Sequence, residues 1–344
     1  MPVNRRLLHV IENPQEQQWP STPELFLEQL SYPTLFWIQG KDTSRHRAIV
    51  TLLHGNEPSG LIAIHKWLTH SFFTPAVNTI IIIAAVQTAL TSPRFSYRHL
   101  PHLRDLNRCF NGPHDDLPGF LAESILAQLN HYQPEAIIDI HNTSGKGPDF
   151  SVSISADNQH QQLVTLFTNQ MIITEIKLGA LMELSEHSVP TVTIECGGAN
   201  CNTSHTVAYQ GLVRFLQEEN VYNTAIPNTL EILYHPVRLQ VKESTIINYA
   251  NQYCSYTDLT LREDIEQFNF GIITPDMPLG WTKHNNRESF KLLNAAGKDA
   301  FHDYFCIKDH TLYPTQTLKL FMITRNPTIA VEDCLLYAVK PPSM

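Results

Sequence analysis

Through the N-terminal two-thirds of the chain, short apolar runs alternate with segments whose apolar residues recur every three or four positions. Arg47–Leu53 (RAIVTLL) is a run of β-formers that reads as a strand ending in the loop His-Gly-Asn-Glu-Pro-Ser-Gly. Gly60–Thr69 carries Leu61, Ile64, Trp67 and Leu68 at helical spacing. Asn78–Val86 is apolar nearly throughout, which predicts a strand buried on both faces. Pro118–His131 reads as a helix, Glu135–Ile140 as a third strand and Phe150–Ser155 as a fourth. Gln162–Ile172 places Leu163, Leu166, Phe167 and Met171 on one helix face, and Val189–Ile194 is a further strand. Ser204–Glu219 is the clearest helix, with Thr203 or Ser204 as its cap. Such alternation predicts an α/β domain around a mostly parallel sheet.

Beyond about residue 222 the pattern changes. Asn223–Asn228 is polar, contains proline and reads as a linker. Alternating segments follow at Leu230–Val241, Asp258–Leu261 and Thr317–Ile323, with turns at Gly271, Pro275–Gly280 and Asn326–Pro327. The expectation is a division into 1–222, an α/β domain, and 223–344, a smaller β-rich domain.

Composition narrows the class. With 42% hydrophobic and 17% charged residues, the 344-residue chain can bury a full core and is not a disordered tract. A formal charge of -9 without a long basic stretch argues against nucleic acid as partner. The longest wholly apolar run, Ile80–Val86, is too short to cross a bilayer, and Met1–Val10 has no apolar stretch of the signal-peptide kind. The six cysteines form no C-x-x-C pair and read as reduced thiols, so a cytoplasmic protein with no membrane partner is expected.

Four polar clusters terminate apolar segments. His54-Gly55-Asn56-Glu57 leaves one strand, and Asp139-Ile140-His141 closes another. If the strands are neighbours, His54, Glu57 and His141 can converge on one metal ion and leave a fourth position for water, as a catalytic zinc site requires. Glu195, after Thr191–Ile194 and before Cys196-Gly197-Gly198, stands where a general base is needed. Asp105-Leu106-Asn107-Arg108 offers an amide and a guanidinium fork for a carboxylate. Each cluster alone has a structural reading: a turn, a buried pair, a loop cap, an ion-pair partner. Together they supply metal, water, base and anion clamp within one α/β domain.

The set LLHGNEPSG (52–60), DLNRCFNG (105–112), DIHNTSG (139–145) and TIECGG (193–198) resembles the succinylglutamate desuccinylase/aspartoacylase family of the zinc carboxypeptidase-like superfamily, over about residues 45–220. The resemblance implies a carboxypeptidase-like mixed sheet flanked by helices, with the β-rich C-terminal domain walling a substrate channel. It implies one Zn²⁺ per chain on His54, Glu57 and His141, with Glu195 as base. Asn107 and Arg108 fall where the family binds the substrate carboxylate, and Asp105 where an acid orients the first zinc histidine. The implied activity is zinc-dependent deacylation of a small N-acyl amino acid.

The chain departs from the family's pattern in three places. Leu100 stands where these enzymes carry an Arg that polarises the scissile carbonyl; Arg98 and Arg104 flank it, and a small insertion would move that role to Arg98. Ser185, among Glu183, Glu186 and His187, replaces an aspartoacylase Arg, which argues against N-acetylaspartate as substrate. Gly145 stands at a position basic in desuccinylases, and the next residue, Lys146, is the candidate partner for an acyl carboxylate. Two rival readings are a zinc peptidase of the same superfamily and a non-catalytic zinc-binding protein on the same scaffold. Retention of Glu195 speaks against the second. The sequence leaves a homo-oligomer open.

Overall fold

The computed structural model describes residues 7–186, 189–294 and 297–341. Met1–Arg6, part of the segment on which the reading of the N-terminus rests, and His187 lie outside them. The chain divides into two compact units: Met1–Asn142, Asp149–Met171 and Lys177–Ile232 form the first, and Thr143–Pro148, Ile172–Ile176 and Leu233–Met344 the second.

The first unit is a mixed α/β layer structure. In chain order its elements are β1 (His9–Glu12), α1 (Pro23–Leu30), β2 (Thr34–Ile38), β3 (Asp42–Thr51), α2 (Ser59–His70), β4 (Val77–Ile83) and α3 (Val86–Leu90). Then come α4 (Leu117–Tyr132), β5 (Ile137–Thr143), β6 (Phe150–Ser153), α5 (Asn158–Thr165), β7 (Gln170–Ile173), β8 (Thr191–Gly198), α6 (Asn202–Gln217) and β9 (Glu231–Tyr234), the last residue of β5 and the last two of β7 and of β9 being counted with the second unit. The sheet runs β1-β2-β4-β3-β5-β8-β6-β7-β9. At its centre β3 pairs parallel with both β4 and β5, while β2–β4 and β6–β8 are antiparallel. β4 is buried over its whole length, as a strand covered on both faces must be. On one face Ala122, Ile125 and Leu129 of α4 pack with Val50, Ile80 and Ile82 of the sheet.

Gly60 brings α2 close to the sheet. A Cβ there would lie 2.0 Å from Thr51 Oγ1 and 3.2 Å from Ile140 Cβ, so only glycine lets the helix start directly over the ends of β3 and β5. A similar contact seats α6, where a Cβ on Gly211 would fall 1.9 Å from the Phe167 ring.

Several elements differ from expectation. The helix expected over 162–172 ends at Thr165, and Met171 lies on β7. Leu166 and Phe167 tighten into i→i+3 bonds, and the β-branched Ile172 and Ile173 then favour a strand although Met171 keeps helical spacing. β4 stops at Ile83, because Ala84 and Ala85 turn into α3, and an all-apolar run carries no stop signal. Cys201 is the N-cap of α6, with no side-chain cap bond; Thr203 and Ser204 already lie in the first turn. Asn326–Pro327 opens a helix over Pro327–Glu332, the Asn326 side chain accepting the Thr328 and Ile329 N–H groups. Leu230–Val241 is two strands separated at His235, whose φ of 56° is left-handed.

The second unit is β-rich. One five-stranded sheet runs Ile272–Ile273, Leu318–Phe321, Leu336–Val339, Val237–Val241, Phe290–Leu293. The other runs Ile247–Ala250, Leu259–Arg262, Gly280–Thr282, Thr311–Pro314, Phe305–Lys308. Leu239, Leu259, Leu261, Phe305, Leu320 and Leu336 belong to its core. Among the described residues no helix is long and apolar enough to cross a membrane.

Candidate metal centre and active site

β3 ends at Thr51 in the middle of the sheet. Leu52 then turns the chain at φ 56°, a left-handed conformation that costs free energy in a residue bearing a Cβ. After Leu53 the four residues His54–Glu57 close on themselves, the Glu57 N–H donating to the His54 carbonyl at 3.2 Å. Gly55 is required by space, since a Cβ would come within 2.8 Å of the Tyr97 carbonyl and 2.9 Å of the Ala89 nitrogen. Asp139 and His141 alternate on β5 and so share a face. Parallel register with β3, Thr51 opposite Ile140, brings that face beside the His54 turn.

One ligand atom each from His54, Glu57 and His141 lies within 4.8 Å of the other two, and all three residues are buried. His54 Nδ1 is 2.8 Å from Glu57 Oε1, and His141 Nδ1 is 2.7 Å from Glu57 Oε2. The far nitrogens are held by acids: His54 Nε2 donates to Asp105 at 3.0 Å and His141 Nε2 to Asp139 at 2.9 Å. Both rings are thus oriented with Nδ1 toward a shared carboxylate. Burial and the Arg98 charge oppose protonation of His54, but Asp105 and Glu57 outweigh them and raise its pKa. Burial likewise opposes His141, and Asp139 with Glu57 raises it well above the ordinary value. Asp105, though buried, is held well below the usual carboxylate range by His54 and Arg98.

Glu195 lies on β8, buried, with Oε2 lacking any hydrogen-bond partner. Burial pushes its carboxyl up to about 7, a rise that His141 moderates and the Glu57 charge reinforces. A buried carboxyl near neutrality, with one oxygen lacking a partner among the described residues, is costly as structure and useful as a base.

Asp105 does more than hold His54. Its Oδ1 also accepts the Asn107 N–H at 2.8 Å, capping the tight turn Leu106–Arg108, and its Oδ2 accepts Arg98 Nε at 2.9 Å. One acid therefore sets the positions of a histidine, an arginine and the Asn107-Arg108 segment. Arg98 Nη1 is 3.6 Å from Glu57 Oε1, so this arginine joins the centre. Asn107 is buried, and its Oδ1 accepts the Leu181 N–H at 3.0 Å. Arg108, half-buried, donates from Nη1 to the Asn107 carbonyl at 2.8 Å. Gly179, at φ 77°, approaches from the opposite loop; a Cβ there would lie 2.7 Å from the Arg108 carbonyl oxygen.

The remaining candidates have other surroundings. Lys146 is exposed and belongs to the second unit, where its carbonyl accepts from Asn269 at 2.6 Å. Ser185 accepts the Thr191 N–H at 2.7 Å, donates to the Thr191 carbonyl at 3.0 Å and meets His160 Nε2 at 3.1 Å. With Asp157 behind His160, these residues line up like a Ser-His-Asp triad, but the hydroxyl is saturated and ties loop to strand. Glu183 accepts the Leu178 and Ala180 N–H groups and the Asn111 amide, and Glu186 pairs with Lys177.

Sequence reasoning missed Asn142. Its N–H donates to Glu57 Oε2 at 3.2 Å. Its side chain accepts the Ser59 N–H and donates to Ser59 Oγ and the Gly197 carbonyl. It thereby binds the start of α2, the end of β8 and the Glu57 carboxylate into one network. The pairing of Asp139 with His141 was open to discovery from the i,i+2 spacing on a strand; no local signal marks Asn142.

A family described as "Succinylglutamate desuccinylase/Aspartoacylase catalytic domain" matches residues 45–216. No curated protein matches the sequence. Among solved structures, the chain is similar to succinylglutamate desuccinylase from Vibrio cholerae (TM-score 0.59, 14% identity, 93% of this chain and 94% of that one). It is also similar to succinylglutamate desuccinylase/aspartoacylase from Rhodobacter sphaeroides (0.54, 13%, 85% and 84%). A third likeness is to a point variant of murine aminoacylase 3 (0.51, 14%, 88% and 95%). At these identities the likeness is one of fold.

Proposed function

The chain belongs to the succinylglutamate desuccinylase/aspartoacylase family, and from that footing we propose that it is a zinc-dependent deacylase that hydrolyses the amide bond of a small N-acyl amino acid. The observation that carries the reading is the arrangement of His54 and His141 around Glu57, each ring backed by its own acid, beside an unpartnered buried Glu195.

The donor set fits zinc. Two imidazole nitrogens and a carboxylate are the ligand types of catalytic zinc sites. Two donors at about 2.0–2.2 Å from one ion lie at most about 4.4 Å apart; those of His54, Glu57 and His141 lie within 4.8 Å, so a small closure suffices. Asp105 and Asp139 fix each ring and raise its basicity. A zinc ion bound there supplies Lewis-acid activation of water and of the acyl carbonyl.

The remaining steps fall to the chain's own residues. Asn107 and Arg108 bind the amino acid's carboxylate through an amide donor and a guanidinium fork. Arg98 directs its positive charge at the acyl carbonyl oxygen, where negative charge develops during attack. Glu195 takes a proton from the attacking water and delivers it to the departing nitrogen, a cycle suited to a carboxyl near neutrality.

The test is a hydrolysis screen of N-acetyl, N-formyl and N-succinyl amino acids by the zinc-supplied protein. Metal-dependent release of free amine is expected. A protein that binds one zinc and releases no amine from any of them would be a binding protein on this scaffold.

A further inference from the structure

A cavity of about 860 Å³ lies within the first unit, walled by β1, the start of α4 and the Arg98–Leu106 segment. Leu8, Val10, Leu100, Leu103, Leu117 and Leu121 give it an aliphatic surface. It is a pocket open to solvent at Val10, Tyr32 and Leu117, and a concave, largely apolar space of several hundred Å³ has the dimensions of a ligand pocket. The cavity meets the candidate centre at Arg98, while two other lining residues are chain neighbours of residues of the centre. Leu53 precedes His54 in the chain and Leu106 follows Asp105. Arg98 lines the cavity while bonding to Asp105 at 2.9 Å and lying 3.6 Å from Glu57.

The chemistry of the wall selects what enters. An acetyl group needs little of this space. A succinyl group would bring a carboxylate; the two arginines on the wall already serve other acids, and of its two histidines His9 is exposed at the rim and His99 Nδ1 meets the Leu100 carbonyl at 3.3 Å. Arg98 holds Asp105, and Arg104 grips both oxygens of Asp116 at 2.7 and 2.6 Å. Position then separates the two ends of the substrate: the cavity is lined by Arg98, assigned above to the acyl carbonyl, and not by Asn107 or Arg108, assigned to the amino acid.

We propose that this cavity receives an apolar aliphatic acyl chain of several carbons, so that the substrate is an N-acyl amino acid with a fatty rather than an acetyl or succinyl group. The inference rests on the deacylase reading above and names its acyl specificity. The bond change is amide hydrolysis. The water oxygen bonds to the acyl carbon, the C–N bond breaks, and Glu195 returns the proton to nitrogen. The products are a fatty carboxylate and the free amino acid.

Two measurements test it. In the first, kcat/KM is followed for acetyl, butanoyl and octanoyl conjugates of one amino acid, and for acetyl conjugates of leucine and alanine. Each fully buried methylene is worth about fourfold, so a rise of at least about tenfold from acetyl to octanoyl is expected. In the second, octanoate alone is titrated into the protein by calorimetry, a readout independent of turnover. Octanoate should bind, and Leu103→Glu, in a half-buried loop position, should weaken it at least about tenfold; Leu121→Glu on α4 provides a second variant, each checked for folding by circular dichroism. A flat or falling chain-length profile, or no octanoate binding, overturns the proposal while acetyl turnover keeps the deacylase reading. A preference set by the amino acid, acetyl-leucine above the octanoyl conjugate, also overturns it. Octanoate binding with no amide turned over overturns the deacylase reading instead and keeps the cavity as an apolar-ligand site.

Discussion

Function at the residue scale turns on which polar atoms the protein satisfies and which it leaves open. Among the described residues Glu195 Oε2 and Asp139 Oδ1 are left open, while Asp105 and the other oxygen of Asp139 are spent on histidines. Glu195→Gln should therefore keep zinc and lose about 10²–10⁴-fold in kcat, because an amide cannot accept the proton; metal content and turnover measured on one sample decide this, and a drop under about tenfold removes the role. Asp139→Asn keeps the shape but weakens the hold on His141 Nε2, so zinc affinity should fall about 10–100-fold in a chelator competition. Arg108→Lys keeps the charge and loses the fork. It should reduce kcat/KM strongly for a substrate carboxylate and much less for the corresponding primary amide; equal losses would return Arg108 to a structural role. The chemical identities of these residues were legible in the sequence because strand ends are short and their polar residues stand out against apolar runs. Asn142 was not, because its partners Ser59, Gly197 and Glu57 come from separate parts of the chain.

Elements act by carrying these side chains to a common point. Gly60 sets how closely α2 approaches β3 and β5. Gly60→Ala places a methyl group 2.0 Å from Thr51 Oγ1, so overpacking of about 1–3 kcal/mol is expected, read as a lower Tm. The start of α4 supplies a pH-dependent contribution. Asp116 caps that helix through the Gly119 N–H, and hydrogen bonds from Arg104, partly opposed by burial, lower its pKa to about 2. A carboxyl depressed in the folded state stabilises it above its unfolded pKa, near 3.8, and loses that contribution as pH falls toward about 2. The pair is partly exposed, so the effect is small. Asp116→Asn should flatten the acid-unfolding profile in that window, and Asp116→Ala should cost about 1 kcal/mol more at neutral pH by losing the cap. Where element reading failed, the cause is general. Met171 has helical spacing from Phe167 yet lies on a strand, because pairing within the sheet outweighs periodicity over so short a segment.

For the molecule as a whole, a site built from three buried polar residues couples ligand binding to folding. A native-only ligand at a free concentration of 100 Kd stabilises by about 2.7 kcal/mol. Zinc should thus raise the Tm in a concentration-dependent way, and chelation should lower it and abolish turnover, with both restored on adding zinc. A Tm indifferent to zinc in a chelated sample would argue against an ordered site. His141→Ala should lose both the metal and this shift while keeping the circular dichroism of the fold.

The sequence by itself determined the α/β class, the β-rich C-terminal region and the polar groups available for chemistry. Hydrophobic periodicity and strand-end composition are local properties, and local properties can be read along a chain. The family's motifs extended that reading to a joint arrangement of His54, Glu57, His141 and Glu195. Only the tertiary structure decided which partners each group meets. Arg98 shares Asp105 with His54, Ser185 and Glu183 are consumed by backbone and loop contacts, and an aliphatic cavity adjoins Arg98. The His54–Asp105 contact spans 51 positions, a distance that strand order and register set; Arg98–Asp105, Ser185–Thr191 and Glu183–Leu178 lie within seven positions, but irregular loop conformation, which hydrophobic periodicity does not encode, decides them.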